Sequence, residues 1–456
     1  MNIEPSIFKA YDIRGIYPTD LNEEGSYAVG RAFSTLMIQE NQGRQLTVAV
    51  SGDMRDSTPS LKSELIRGIT ETGVNVVDFG MLSSPTFYFL ESFNNLDGGI
   101  QVTASHNAKE YNGLKMIRTR GVAMGGDSGI KAIYEIIKTD SFLPIAESKG
   151  TVEVREGGTE LTMVEQKKLV RGYNVKPMKI VLDPANAMGI VDLDELFKDI
   201  DCELIKMNYE LDGNFPNHEA DPSKAENRVD ICNKVKEVGA DLGITTDGDS
   251  DRVFLIDETG EVIPSSILYT VLAHIEHENN PGETLAYEIR LGNLVEEEFS
   301  DVKLVQTPVG HSLIKGEMIK HNALFGGEIS GHYFLRLPWG TYEAPMLLIL
   351  KFLNWLSKQE QPLSEIIKPY KRYISSGEIN TKVATRVEVD KIISTIREKY
   401  KDGDEITIDG VKVSYPDYWF SVRASNTEPL IRLIVEAKDP AVMEVKCKEL
   451  LEIIQS

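Results

Sequence analysis

The chain has 456 residues, 41% apolar and 26% charged, a composition of soluble globular proteins that excludes disordered and fibrous classes. At roughly 100 to 200 residues per domain, its length predicts about three or four units. Its 71 acidic and 49 basic side chains leave a net charge of −22, a field that repels nucleic-acid phosphates and anionic lipid and argues against either as a partner.

Short β-rich runs at 46–50, 75–79 and 99–103 alternate with helical spacing over 61–73, where Leu61, Leu65, Ile66 and Ile69 recur on one face. That alternation marks an α/β unit. The pattern restarts at 179–183 and 203–207, and a strand at 241–245 closes this second block. A third block has strands at 284–287 and 303–306 and a helix over 344–356. After Pro369 come strands at 405–408, 419–422 and 430–435 and an amphipathic helix over 440–454, an α+β pattern with a mostly antiparallel sheet. The expected fold class is therefore α/β: three related mixed-sheet domains, at 1–151, 152–257 and 258–369, plus a C-terminal α+β domain at 370–456.

Cys202, Cys232 and Cys447 are odd in number and lack C-x-x-C spacing, which argues against a disulfide framework or a zinc ribbon and predicts buried reduced thiols. Residues 1–5 show no basic segment leading into an apolar one, so no secretory signal is expected. The longest apolar stretch, 345–356, is interrupted by Lys351 and Asn354 and falls short of the roughly 20 residues of a membrane span. A cytoplasmic location is expected.

Four segments carry chemistry. Between two predicted strands, Asp247-Gly248-Asp249-Ser250-Asp251 places three carboxylates in one turn. Such a cluster drives its own pKa values upward unless a cation neutralises it, and Mg²⁺, which prefers hard oxygen ligands, suits it. An EF-hand loop, for which Glu258 falls at the twelfth position, is disfavoured by Arg252 at the sixth, where that loop needs glycine, and by the strand-like flanks; a solvated acidic turn without metal is the other alternative. Ser105 follows an apolar strand in Gly99-Ile100-Gln101-Val102-Thr103-Ala104-Ser105-His106-Asn107. The G-x-S-x-G elbow of many serine hydrolases is absent, and His106 as immediate neighbour should point away from Ser105 in an extended chain. A phosphorylated Ser105 would instead supply the oxygen ligand that three aspartates leave missing around Mg²⁺. Arg423-Ala424-Ser425-Asn426-Thr427, with Arg432 beyond, combines small residues, hydroxyls, an amide and guanidinium, the donor set of a phosphate site. In Gly326-Gly327-Glu328-Ile329-Ser330-Gly331-His332, Glu328 and Ser330 alternate and in an extended loop would present two oxygens to adjacent sugar hydroxyls.

These four motifs, in this order, resemble the α-D-phosphohexomutase family, and within it the bacterial phosphomannomutase/phosphoglucomutase branch. The likeness spans nearly the whole chain and includes Phe8-Lys9-Ala10-Tyr11-Asp12-Ile13-Arg14-Gly15, Gly52-Asp53-Met54-Arg55-Asp56-Ser57, Tyr111-Asn112-Gly113-Leu114-Lys115 and Gly310-His311-Ser312.

The resemblance implies four domains around a central cleft, one loop from each. It implies a hexose-phosphate mutase in which phosphorylated Ser105 donates to the free hydroxyl of a hexose phosphate, giving a 1,6-bisphosphate that reorients and returns its other phosphate. Ser105, Asp247, Asp249 and Asp251 are the implied ligands of one Mg²⁺ per chain, with glucose or mannose 1,6-bisphosphate as activator. Arg252 and His106 are implied to steady the phosphoserine. Arg14, Lys115 and His332 are implied in catalysis beside Ser105. Tyr11, His311, Glu328, Ser330, Arg423, Ser425, Asn426, Thr427 and Arg432 are implied substrate contacts. The expected partner is a small hexose phosphate, with the protein a monomer or dimer and its C-terminal domain hinging near 369–376. Where many members of the family are Asp/Gly-rich after the sugar loop, this chain has Pro338-Trp339-Gly340-Thr341-Tyr342-Glu343-Ala344-Pro345, so reaction class is read more firmly than the choice of mannose or glucose. Phosphoglucosamine mutase is the nearest alternative, although its sugar loop typically has Gln where Ile329 stands. A catalytically silent sugar-phosphate binder is the alternative from another class, disfavoured by the joint presence of Ser105 and all three aspartates.

Overall fold

Residues 3–383, 385–425 and 430–455 are described by a computed structural model, in which the chain divides into two units, Met1–Ile263 with Ser330–Leu363 and Pro264–Ile329 with Ser364–Ser456.

The first unit opens on a seven-stranded sheet. Its strands run in the order Ile13–Ile16, Tyr111–Arg118, Gly98–Val102, Thr47–Gly52, Asn75–Met81 and Val152–Val154, with Val122–Ala123 added beside Tyr111–Arg118. Thr47–Gly52 pairs in parallel with both Gly98–Val102 and Asn75–Met81, while Tyr111–Arg118 joins antiparallel. The central strands are buried along both faces, so apolar residues do not alternate strictly with polar ones, and the two polar side chains inside them, Ser51 and Gln101, hydrogen-bond to each other. Helices Glu23–Glu40 and Thr58–Glu71 supply Val29, Phe33, Leu61, Leu65 and Ile69 to a core with Val48, Val50 and Ile100. The first of them starts where Asn22 accepts from the Gly25 N–H, an ordinary N-cap.

A second sheet in this unit runs Val253–Ile256, Leu242–Thr246, Lys179–Asp183, Glu203–Lys206, parallel except for its first strand. Helices Gly189–Phe197 and Val229–Val238 belong to it. The unit is completed by the hairpin Tyr333–Arg336 and Thr341–Glu343 and by helix Pro345–Leu356. The segment that departs from the expected Asp/Gly-rich pattern has a packing role here. Trp339 sets its ring edge against Phe89 at 4.9 Å and Phe93 at 5.8 Å, on helix Ser84–Phe93.

In the second unit, Leu285–Glu288 lies between parallel partners Leu304–Thr307 and Phe325–Gly327. Its C-terminal part is a fully antiparallel sheet of Ile374–Ser375, Ile379–Lys382, Leu430–Ala437, Tyr418–Ala424, Val411–Ser414 and Asp404–Ile406. Helices Arg386–Lys399 and Pro440–Ile454 cover it, burying Ile396, Leu450 and Ile454 with Phe420, Val422, Ile431 and Leu433. The architecture is the expected one, three α/β parts followed by an α+β end. The three cysteines are unpaired thiols, partly rather than fully buried as expected. Among the described residues no helix is long and apolar enough to cross a membrane.

Candidate active site

Strand Gly98–Val102 runs out into a turn where Ser105 takes φ +50°. A non-glycine residue in the left-handed region costs of order 1–3 kcal/mol and persists only where its surroundings dictate it. Here they do. The Ser105 N–H donates to Thr103 Oγ1 at 2.9 Å. Arg55, 1% exposed, spreads its guanidinium over four carbonyls, those of Ser105 (2.8 Å), Asn107 (2.7 Å), Ala108 (2.9 Å) and Tyr111 (3.0 Å), with Asp53 accepting from its Nε at 3.2 Å. From the other side, a Cβ at Gly248 would lie 2.2 Å from the Ser105 carbonyl oxygen, so glycine alone lets the aspartate turn come this close.

The result is a Ser105 hydroxyl that donates to Asp247 Oδ2 at 3.0 Å and lies 3.2 Å from His106 Nδ1. The sequence expectation that His106 points away assumed extended backbone; the left-handed turn at Ser105 brings the ring back. Burial, and then the charges of Arg252 and Arg14, hold the His106 pKa well below its ordinary value.

Asp247, Asp249 and Asp251 sit in the turn between Leu242–Thr246 and Val253–Ile256, wholly buried, each offering an oxygen within 4.8 Å of the others. Lys115 Nζ is 2.6 Å from Asp249 Oδ2 and 2.6 Å from Asp251 Oδ2. His332 Nε2 is 3.1 Å from Asp251 Oδ1, and Arg252 Nε is 3.7 Å from Asp247 Oδ2. The backbone N–H groups of Asp251 and Arg252 donate to Asp247 Oδ1, each at 3.1 Å. Burial and the two neighbouring carboxylates push Asp247 well above the usual range. For Asp251 burial acts upward too, but Lys115, His332 and Arg252 outweigh it and hold the carboxyl well below. The donor set fits a hard divalent cation: all three ligands are oxygens, and Asp249 Oδ1 is buried with no hydrogen-bond partner.

Other predicted residues belong to the same unit. Arg14 donates to Asn107 Oδ1 at 2.5 Å and pairs with Asp12. Tyr11 is half-buried in the bend before strand Ile13–Ile16. Ser330 Oγ lies 2.9 Å from His332 Nδ1, and residue 332 bridges backbone to backbone with Arg252.

In the second unit, buried Glu328 accepts from the Gly310 N–H at 2.8 Å, just before helix His311–His321 begins at His311. The chain turns at residues 329–330, so the alternation assumed for Glu328 and Ser330 does not hold. Arg432 NH1 meets Glu378 Oε1 at 2.6 Å, and its NH2 is 3.5 Å from the Ser425 hydroxyl. Arg423, 5% exposed, has NH1 3.8 Å from Asp409, and burial followed by the nearby Arg290 charge lowers its pKa. Asn426 and Thr427 lie outside the described residues.

Arg290 is the residue that sequence reading missed. Its Nε donates to Glu288 Oε1 at 2.6 Å, its NH2 to Glu288 Oε2 at 2.9 Å, and its NH1 to Glu378 Oε2 at 2.6 Å. The one signal was an arginine just past strand Leu285–Glu288. Arg55 was visible within a motif, but nothing in sequence tells that its partners are the carbonyls of the serine loop.

Family models of phosphoglucomutase/phosphomannomutase match the chain in order: α/β/α domain I at 5–144, domain II at 161–260, domain III at 264–373 and the C-terminal domain at 378–452. A phosphomannomutase/phosphoglucomutase of Pseudomonas syringae pv. tomato is 36% identical over 448 residues, covering 96% of this chain and 93% of that protein. A phosphomannomutase of Escherichia coli K12 is 33% identical over 469 residues, 98% of each. A crystal structure of a phosphoglucomutase/phosphomannomutase family protein from Burkholderia thailandensis superposes with a TM-score of 0.87 at 31% identity, covering 100% of this chain and 98% of that one. Matched end to end in sequence and fold, and carrying its serine and aspartates in one buried cluster, the chain belongs to the phosphoglucomutase/phosphomannomutase family.

Proposed function

We propose that this protein interconverts hexose 1-phosphates and hexose 6-phosphates, of mannose, glucose or both, through phosphorylated Ser105 and a 1,6-bisphosphate. The observation that carries the reading is the Ser105 hydroxyl 3.0 Å from Asp247, beside carboxylates whose oxygens lie within 4.8 Å of one another. A lone turn serine has no reason to share a buried acidic cage.

In the first half-reaction the free sugar hydroxyl attacks the phosphorus on Ser105. A phosphorus–oxygen bond to the sugar forms and the bond to Ser105 Oγ breaks; the sugar hydroxyl gives up its proton and the departing serine oxygen takes one up, with Arg14, Lys115 and His332 sharing the proton handling and the stabilisation of charge at the acceptor hydroxyl. His106 and Arg252 steady the serine oxygen and its phosphate. The reverse sequence from the other phosphate regenerates phosphoserine. Asp247, Asp249, Asp251 and the phosphoserine would hold one Mg²⁺, which neutralises charge on the moving phosphoryl group when bound. Arg423, Ser425 and Arg432, joined by Arg290, grip the distal phosphate whichever way the sugar faces, since guanidinium forks read phosphate and not the ring. Glu328 and Ser330 are assigned to sugar hydroxyls.

Ser105→Ala should lower mutase turnover by about 10³-fold or more while hexose phosphate still binds, the scale of loss for a covalent nucleophile. Full turnover in that variant would end the proposal. kcat/KM for mannose, glucose and glucosamine 1-phosphates, each primed with its bisphosphate, assigns the sugar.

A further inference from the structure

Behind the aspartate turn lies a further buried carboxylate, Asp192, 2% exposed, on helix Gly189–Phe197. Its Oδ1 accepts from the hydroxyl of Ser83 at 3.0 Å and of Thr86 at 3.3 Å. Ser83 is the N-cap of helix Ser84–Phe93, its Oγ accepting from the Thr86 N–H at 3.3 Å. A hydroxyl has one proton; by taking it, Asp192 turns a Ser83 lone pair toward the helix and fixes the cap. The next residue, Ser84, reaches the metal turn. Its N–H donates to the Asp249 carbonyl at 3.0 Å and its Oγ to Asp249 Oδ2 at 2.5 Å. With Lys115 also on Oδ2, the Asp249 carboxylate is pinned so that Oδ1 stays open for an ion. The approach of the Asp192 helix is itself close, since a Cβ at Gly189 would lie 2.2 Å from Thr246 Oγ1, on the strand that leads into Asp247.

We propose that Asp192 is a positioning residue for the metal centre, its carboxylate fixing the first turn of helix Ser84–Phe93 so that Ser84 orients Asp249 toward the ion. The proposal rests on the reading of the three aspartates as the Mg²⁺ site. It predicts an effect on the ion and not on the sugar phosphate. Outer partners that orient a metal ligand typically carry about 10- to 100-fold in affinity.

The test is Mg²⁺ binding to the full-length protein by calorimetry, with steady-state kinetics at saturating Mg²⁺ alongside. Asp192→Ala should raise the Mg²⁺ Kd about tenfold while KM for hexose phosphate stays within about twofold. Asp192→Asn, which keeps an acceptor oxygen, should recover most of the affinity, and Ser83→Ala with Thr86→Val should reproduce the alanine effect from the other side. Asp249→Asn is the control. If it abolishes Mg²⁺ binding while folded Asp192→Ala, or the Ser83/Thr86 double variant where the former does not fold, binds Mg²⁺ as tightly as the parent, the positioning role is overturned. If Asp249→Asn leaves Mg²⁺ binding intact, the metal-site reading itself falls.

Discussion

In the first unit three carboxylates lie within 4.8 Å of one another and are met by Lys115, Arg252 and His332. In the second, the guanidiniums of Arg290, Arg423 and Arg432 are met by Glu288, Glu378 and Asp409. Buried charges demand partners, and the partners here are side chains of opposite sign. What differs is the surplus. The acidic cluster retains an unpartnered carboxylate oxygen, the place the proposed function gives to Mg²⁺. The basic cluster shares Glu378 between two arginines, which is the side to which the proposed function assigns the distal phosphate. A net charge of −22 thus says little about which ligand a site takes, because local arrangement decides it.

The comparison predicts a division of labour that kinetics can break. Arg423→Ala, which removes a 5%-exposed guanidinium, should raise KM for hexose phosphate about 30-fold or more, in line with the 2–5 kcal/mol lost when one member of a buried charge pair is truncated. It should leave the Mg²⁺ Kd unchanged. Asp249→Asn should do the converse, abolishing Mg²⁺ binding while the calorimetric Kd for hexose phosphate stays unchanged. If both parameters moved together in both variants, the two clusters would not be separate functions.

A smaller effect is expected at Arg55, which contributes geometry to the acidic side rather than charge to a ligand. Lysine keeps the charge but cannot span four carbonyls as a planar fork does. Arg55→Lys should therefore lower kcat about tenfold, through misplacement of the Ser105 hydroxyl, with KM little changed. A fall in KM affinity with kcat intact would place Arg55 in binding instead.

How much of this was readable in advance follows the range of the interactions. Thr47–Gly52 and Leu242–Thr246 were legible because strands buried on both faces need continuous β-branched and apolar runs. Ile13–Ile16 and Val411–Ser414 were not, being four-residue strands whose identity comes from their neighbours. The aspartate triad was legible as three carboxylates in one turn between two strands. The contact of Ser105 with His106 was not, because a positive φ at a serine is imposed by Arg55 and Gly248, distant in sequence. Asp192 and Arg290 were silent for the same reason: a buried polar residue declares its role only through its partners.

The smallest predicted effect sharpens the comparison from a third acid, one buried like Asp251 but without its cations. Glu91, on helix Ser84–Phe93, is wholly buried, and its Oε2 accepts from the Gly121 N–H at 2.9 Å and the Ser92 hydroxyl at 3.0 Å. Its Oε1 has no hydrogen-bond partner. Burial outweighs these neutral donors and pushes the carboxyl up to about 8, whereas Lys115, His332 and Arg252 hold Asp251 well below its ordinary value. A carboxyl whose folded pKa lies above its unfolded 4.5 binds its proton more tightly in the native state, so its contribution to stability is present at pH 4.5 and lost as pH rises toward 8. Glu91→Gln keeps an acceptor for Gly121 and removes the titration. The variant and the parent should have similar Tm at pH 5, with the variant gaining by a few degrees as pH is raised to 8. Thermal unfolding across that range checks this. A Tm difference that did not grow with pH would mean that Glu91 is ionised in the folded protein, and that burial without a cation does not by itself neutralise an acid in this fold.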